Sequence, residues 1–156
     1  MSTTVSPREV RIELPTRPVR PEDVPALGAL FIAAYRDTVD DEGETLEDAI
    51  GEAERILSGG YGPFLWDCSF VTGRDGGVDA TSLIARWTPP AGEPVPLLVL
   101  LATAPSVQRH GLAAALLNRS IDALADQGEH ELRLWVNALN DRAIALYRKL
   151  GFDEVV

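Results

Sequence analysis

Apolar residues recur at helical spacing in four segments of the chain, and each segment carries helix boundary signals. The first begins at Pro21, which two acidic residues follow. Both proline and acidic residues are favoured in the first turn of a helix. The second opens at Thr45, which forms a capping box with Asp48. The remaining two are predicted to begin at Gly111 and at Asn140, and glycines follow their predicted ends.

Other segments show the patterns of strands. Residues 10–14 and 132–137 alternate between apolar and polar side chains, which indicates half-buried strands. Residues 65–72 and 78–87 predict two strands joined by an Asp-Gly hairpin turn. Residues 97–102 are apolar at every position, which predicts a strand buried on both faces.

The order of these elements predicts an α/β fold with a mixed sheet. The chain contains, in order, a strand, two helices, three strands, a helix, a strand and a helix. Helical crossovers in the second half imply parallel pairing, whereas the hairpin implies antiparallel pairing. The 156 residues suit one domain, predicted at 10–156 after a polar and flexible segment at 1–9.

Composition narrows the classes of partner. The chain has 14 basic and 24 acidic residues and a formal net charge of −10, which disfavours nucleic acid and anionic membranes and attracts cations such as protonated amines. Cys68 is the single cysteine, which excludes an internal disulfide and fits a cytoplasmic protein. Residues 1–10 show no secretory signal, and the longest aliphatic run is far below the about 20 residues of a spanning helix.

The segment that follows the apolar strand is typical of an anion site. Residues 108–113 read QRHGLA and lead directly into the third predicted helix. The first N–H groups of a helix lack internal acceptors and bind phosphates. The segment lacks the signatures of a P-loop and of a dinucleotide fingerprint. A simple strand-to-helix turn with glycine for geometry is the alternative interpretation.

Two motifs resemble those of the GNAT superfamily of N-acetyltransferases. The QRHGLA segment matches the acyl-CoA loop pattern [QR]-x-x-G-x-[GA], and residues 140–152, NDRAIALYRKLGF, match N-x-x-A-x-x-x-Y-x-x-x-G-F. The resemblance implies a mostly antiparallel sheet with one splayed parallel strand pair and flanking helices. The family's last two strands would be short or missing, because only Asp153 to Val156 follow the Gly-Phe pair.

The resemblance also implies roles for particular residues, with acetyl-CoA as co-substrate. Tyr147 would protonate the departing thiolate; a core aromatic with a tethered hydroxyl is the alternative. Asn140 would contact the CoA arm, cap the last helix, or do both. The backbone of the apolar strand would pair with the pantetheine arm at Leu101, Ala102 and Thr103. The loop would hold the diphosphate through Gln108, Arg109, His110, Gly111, Leu112 and Ala113.

The predicted function is transfer of acetyl from acetyl-CoA to a primary amine, for which the acidic composition favours a cationic acceptor. The alternative is a non-catalytic acyl-CoA-binding sensor or interaction module. No metal-ligand cluster is visible. The general base is not identified: Asp67 is one candidate, and the acidic segment 40–42 could instead attract a cationic acceptor. Two hypotheses address the missing last strands. Residues 10–14 could supply an edge strand, within one molecule or across a homodimer, or the side of the site that binds the acceptor amine could be open to solvent.

Overall fold

The computed structural model describes residues 1–10, 14–107 and 111–154. Within these ranges six strands form one sheet and four α-helices flank it. The strands are β1 (Ser2–Thr4), β2 (Thr16–Pro18), β3 (Phe70–Thr72), β4 (Ala80–Trp87), β5 (Val95–Thr103) and β6 (Glu131–Leu134). The helices are α1 (Val24–Tyr35), α2 (Leu46–Leu57), α3 (Leu112–Asp126) and α4 (Asp141–Lys149).

The strand order is β1-β6-β5-β4-β3-β2, and the pair β5–β6 is parallel while the other neighbours are antiparallel. The predicted mixed α/β fold is therefore confirmed. Among the described residues, no helix combines the length and the apolar character needed to cross a bilayer.

Strands β5 and β6 separate after two residue pairs. Leu97 lies opposite Arg133 and Leu98 opposite Leu134, and β5 then continues to Thr103 without β6. At the same point the pairing of β5 with β4 skips Val99. A bulged residue bends its strand and increases its twist, so the bulge at Val99 turns β5 away from β6. The splayed parallel pair is confirmed, and it leaves a crevice between β5 and α4.

Helices cover both faces of the sheet. Helix α3 buries Leu116, Leu117 and Ile121 against one face, and α1 and α2 bury Leu27 and Ile56 against the other. Both capping predictions are confirmed. Thr45 Oγ1 accepts from the Asp48 N–H at 3.1 Å, and Asn140 Oδ1 accepts from the Ala143 N–H at 3.0 Å.

Part of the N-terminal segment, for which the sequence predicts flexibility over residues 1–9, forms a strand. Ser2–Thr4 form β1, which lies antiparallel to β6. The Met1 ammonium donates to the Leu134 carbonyl at 2.9 Å, and Ser2 exchanges two hydrogen bonds of 2.9 Å with Asp153. Pairing satisfies backbone groups that an open sheet edge leaves exposed. The edge of β6 is thus covered by β1 rather than by residues 10–14, of which 11–13 lie outside the described residues.

The first strand of the predicted hairpin is shorter than expected. Trp66–Cys68 form a 3-10 turn and β3 begins at Phe70. The turn between β3 and β4 has the predicted left-handed residues, with φ of 54° at Asp75 and 76° at Gly76.

Candidate active site

Two cavities meet beside α4. The helix-start cavity, about 600 Å³, lies between the end of β5, the start of α3 and α4. The acidic cavity, about 630 Å³, lies between β5, the segment after β6 and the segment joining α1 to α2. Seven residues line both cavities, so the two adjoin in the crevice beside α4: Tyr35, Val39, Asp40, Leu101, Asn140, Ala143 and Tyr147.

The start of α3 presents backbone donors to the helix-start cavity. Gly111, Leu112 and Ala113 line this cavity. The first helical bond runs from the Ala115 N–H to the Gly111 carbonyl, so the amides of residues 112–114 have no acceptor within the helix. These donors and the helix dipole favour an anion.

Gly111 is required here by its backbone conformation. Its φ is 72°, in the left-handed region, and a Cβ built on it meets no protein atom within 4 Å. Glycine is therefore favoured here because it adopts a positive φ without strain, and not because a side chain would collide with neighbouring protein atoms. Gln108, Arg109 and His110 lie outside the described residues, and their predicted roles stay predictions.

The exposed edge of β5 lines both cavities. Leu101, Ala102 and Thr103 line the helix-start cavity, as the prediction for a cofactor strand requires. The prediction that residues 97–102 are buried on both faces is wrong for part of the run. Val99, Leu100 and Leu101 are only half-buried, because β5 has left β6 there and its side chains face the crevice.

Helix α4 brings Asn140 and Tyr147 to the crevice. They are seven residues apart, two helical turns, and so lie near one face. The Asn140 side chain caps α4 through its oxygen, and its Nδ2 donates to Asp40 Oδ2 at 3.0 Å. The cap interpretation is therefore confirmed, and a contact with the CoA arm stays a prediction.

The Tyr147 hydroxyl is available to a ligand. It makes no hydrogen bond to the residues that the structure describes, and the ring contacts Phe152 with centroids 5.8 Å apart. Burial, and secondly the negative charge of Asp40, raise the pKa of Tyr147 to about 12. The phenol is therefore protonated near neutral pH and can act as a proton donor.

Tyr35, at the end of α1, is a site residue that the sequence analysis did not identify. Its hydroxyl donates to the Leu101 carbonyl at 3.0 Å and ties the end of α1 to the splayed part of β5. Burial raises its pKa, with smaller contributions from Tyr147 and Asp40. No local motif marks this contact, because the partners are 66 residues apart.

The acidic cavity is lined by five carboxylates and one guanidinium: Asp40, Glu42, Glu44, Asp48, Glu52 and Arg55. Asp40 and Glu42 come from the predicted acidic segment. Asp67 is exposed in the turn before β3 and lines neither cavity, so it is not placed to act as a base.

Aromatic rings form one wall of the acidic cavity. Tyr61 and Trp135 line it, with ring centroids 6.3 Å apart. Trp135 also meets the Trp87 ring edge-on at 5.0 Å, although it is 58% exposed. A fixed aromatic face beside carboxylates suits a ligand with positive charge.

The chain matches the model of the acetyltransferase (GNAT) family over residues 34–152. It is 50% identical over 54 residues to the ribosomal protein bS18-alanine N-acetyltransferase of Escherichia coli strain K12. That match covers 35% of this chain and 36% of the relative, so the similarity spans only about a third of the relative's length.

Solved structures share the fold. The crystal structure of the Escherichia coli ribosomal-protein-S18-alanine N-acetyltransferase has a TM-score of 0.68 and 26% identity, over 91% of this chain and 79% of that one. The PaiA N-acetyltransferase of Thermoplasma acidophilum, crystallised with coenzyme A, has a TM-score of 0.72 and 18% identity, over 91% of each chain. The matched family and the shared fold together show that the chain belongs to the GNAT family of acetyltransferases.

Proposed function

We propose that the protein transfers acetyl directly from acetyl-CoA to a primary amine. The observation that carries this proposal is the meeting of two cavities at Tyr147, because two substrates can then approach one proton donor from opposite sides. Family membership supports the reaction class. The similarity to an enzyme named for acetylating a protein's alanine supports an amine acceptor.

The helix-start cavity fits acetyl-CoA. The amides of residues 112–114 would hold the diphosphate, and Gln108, Arg109 and His110 are predicted to complete that loop. Beyond Leu98 the strand β5 no longer pairs with β6, and its edge at Leu101 to Thr103 would receive the amide groups of the pantetheine arm. Small side chains at Ala113, Ala114 and Ala143 leave room for the arm between β5 and α4.

The reaction would take place where the cavities join. The amine nitrogen approaches from the acidic cavity and forms a bond to the thioester carbon, and the carbon–sulfur bond breaks. Main-chain groups near Leu101 or Ala102 stabilise the developing oxyanion. Tyr147, whose phenol is protonated at neutral pH, gives its proton to the sulfur as the negative charge develops there.

The acidic cavity also bears on the charge of the acceptor amine. The five carboxylates and the aromatic wall of the acidic cavity favour an amine that carries a second positive charge. We expect kcat/KM for a linear diamine to exceed that for the monoamine of equal length by about five- to tenfold, as about 1 kcal/mol of added interaction gives. The difference should shrink at high salt because exposed charges are screened.

A matched pair of variants tests this preference. Glu44→Gln removes a charge from the acidic cavity, whereas Glu54→Gln removes an exposed charge from α2 outside it. Steady-state rates should show a reduced preference for the diamine only in Glu44→Gln. Equal rates for diamine and monoamine in the unmodified protein would contradict the proposed acceptor class.

The reaction itself is tested by thiol release. Purified protein with acetyl-CoA should release free thiol at a rate that depends on, and saturates with, the added amine. Tight binding of acetyl-CoA without amine-dependent release would instead support the acyl-CoA sensor that the sequence left open.

A further inference from the structure

We propose that Asp40 accepts the proton of the attacking amine and that Asn137 and Asn140 are positioning residues that hold its carboxylate for this step. The inference rests on the proposed function and supplies the base that sequence analysis could not identify. It is carried by the place of Asp40 in the crevice and by the two amides that bind it.

Asp40 occupies the junction of the two cavities. Among the described residues it is the one carboxylate that lines both of them. It is half-buried, and its negative charge acts on both Tyr35 and Tyr147. A nitrogen that reaches the thioester from the acidic cavity therefore passes this carboxylate.

Two side-chain amides fix the carboxylate. Asn137 Nδ2 donates to Oδ1 at 3.4 Å and Asn140 Nδ2 donates to Oδ2 at 3.0 Å. Each carboxylate oxygen has two acceptor sites, and each takes one of these bonds from the part of the chain that the structure describes, so a second site can accept a substrate N–H. The oriented carboxylate can therefore bind the amine without moving.

Backbone contacts in turn fix both amides. Asn137 Oδ1 accepts from the Leu139 N–H at 2.9 Å, and Asn140 Oδ1 accepts from the Ala143 N–H at 3.0 Å. Because the amide oxygens are occupied by N–H donors, the NH₂ groups must face Asp40. The cap of α4 thereby sets both the direction of the helix that carries Tyr147 and the position of the carboxylate.

The other four carboxylates of the acidic cavity do not line the helix-start cavity, and two of them are already engaged by neighbouring groups. Glu52 accepts from the Tyr61 hydroxyl at 2.8 Å and pairs with Arg55 at 3.4 Å. Asp48 accepts from the Thr45 N–H at 3.0 Å as part of the α2 cap. Both line only the acidic cavity, away from the junction.

Proton transfer balances across the two groups. As the nitrogen–carbon bond forms, the nitrogen becomes positive and acidic, and one N–H proton moves to Asp40. The carbon–sulfur bond breaks, and the thiolate takes the Tyr147 proton. Transfer of the proton from the Asp40 carboxylic acid to the Tyr147 phenolate is downhill, since carboxyl pKa values lie well below those of phenols. Both groups are then ready for another turnover.

Asp40→Asn is the direct test, because it keeps the shape and removes the basic carboxylate. We expect kcat to fall about 100-fold or more, with acetyl-CoA affinity within threefold of the unmodified protein. Asp37→Asn is the matched control, since Asp37 is exposed in the same segment and lines neither cavity. That control should keep kcat within threefold.

Two readouts separate proton transfer from a structural role. Formate should restore part of the kcat of Asp40→Ala, and the loss in Asp40→Asn should be smaller for weakly basic amines. Asn140→Ser keeps a capping side chain but removes the donor to Asp40. We expect its melting temperature to stay within about 2 °C and its kcat to fall about tenfold, with acetyl-CoA affinity retained.

The outcomes distinguish this inference from the proposed function. If the unmodified protein shows no amine-dependent thiol release, the proposed function fails. If it does, and folded Asp40→Asn keeps kcat within threefold, Asp40 is not the proton acceptor. Should Asp40→Asn fail to fold, unchanged kcat in Asn140→Ser overturns the inference and a reduced kcat with retained affinity supports it.

Discussion

Replacing Tyr147 with phenylalanine is expected to lower kcat for amine acetylation by about 100- to 10,000-fold, the usual contribution of a positioned proton donor. The substitution removes one oxygen from a ring that packs against Phe152 and lines both cavities. Acetyl-CoA affinity should change by less than threefold, because the phenol acts on the sulfur only as the bond breaks.

The pH dependence follows from the same environment. Since the pKa of Tyr147 is raised to about 12, the donor stays protonated from pH 6 to pH 10, and kcat should not fall in this range through loss of its proton. Tyr61→Phe is the comparison variant, because Tyr61 lines only the acidic cavity; its kcat should fall less than tenfold. An unchanged kcat in Tyr147→Phe would remove this residue from the mechanism.

Replacing Ala113 with aspartate is expected to weaken acetyl-CoA binding by about 30- to 100-fold, as about 2–3 kcal/mol of like-charge repulsion would give. Ala113 lies in the first turn of α3 and lines the helix-start cavity. A carboxylate there is favourable to the helix itself, so the melting temperature should not fall. Isothermal titration calorimetry measures the affinity.

Ala115→Asp controls for added charge in the same turn. Ala115 does not line the cavity, and we expect acetyl-CoA affinity within fivefold of the unmodified protein. Equal, small effects of the two substitutions would show that the diphosphate does not lie at the start of α3.

Local patterns predicted much of the fold because the helices carry their own boundary signals. Thr45 with Asp48 and Asn140 with Ala143 are short-range contacts that the sequence shows directly. Strand β1 could not be predicted in this way. Ser2–Thr4 is short and polar, and it becomes a strand only because the edge of β6 is available to pair with it.

The site was predictable where its residues lie in one motif. Asn140 and Tyr147 stand at fixed spacing on one helix, and the structure places both in the crevice. The bulge at Val99 has no signal within an unbroken aliphatic run. The bond from Asn140 to Asp40 joins residues 100 positions apart, so it follows from packing of the α1–α2 segment on α4 rather than from a local pattern.

If two substrate cavities meet at Tyr147, one molecule that carries both substrates should fill them together, and the affinity of such a bisubstrate conjugate reports on this arrangement. The conjugate joins the sulfur of CoA through an acetyl spacer to a linear diamine, and calorimetry measures its Kd. We expect the conjugate to bind at least about 100-fold more tightly than CoA, because one molecule occupies both cavities at once. It should also compete with both acetyl-CoA and the amine. A conjugate that binds no more tightly than CoA, or competes with acetyl-CoA alone, would contradict this arrangement.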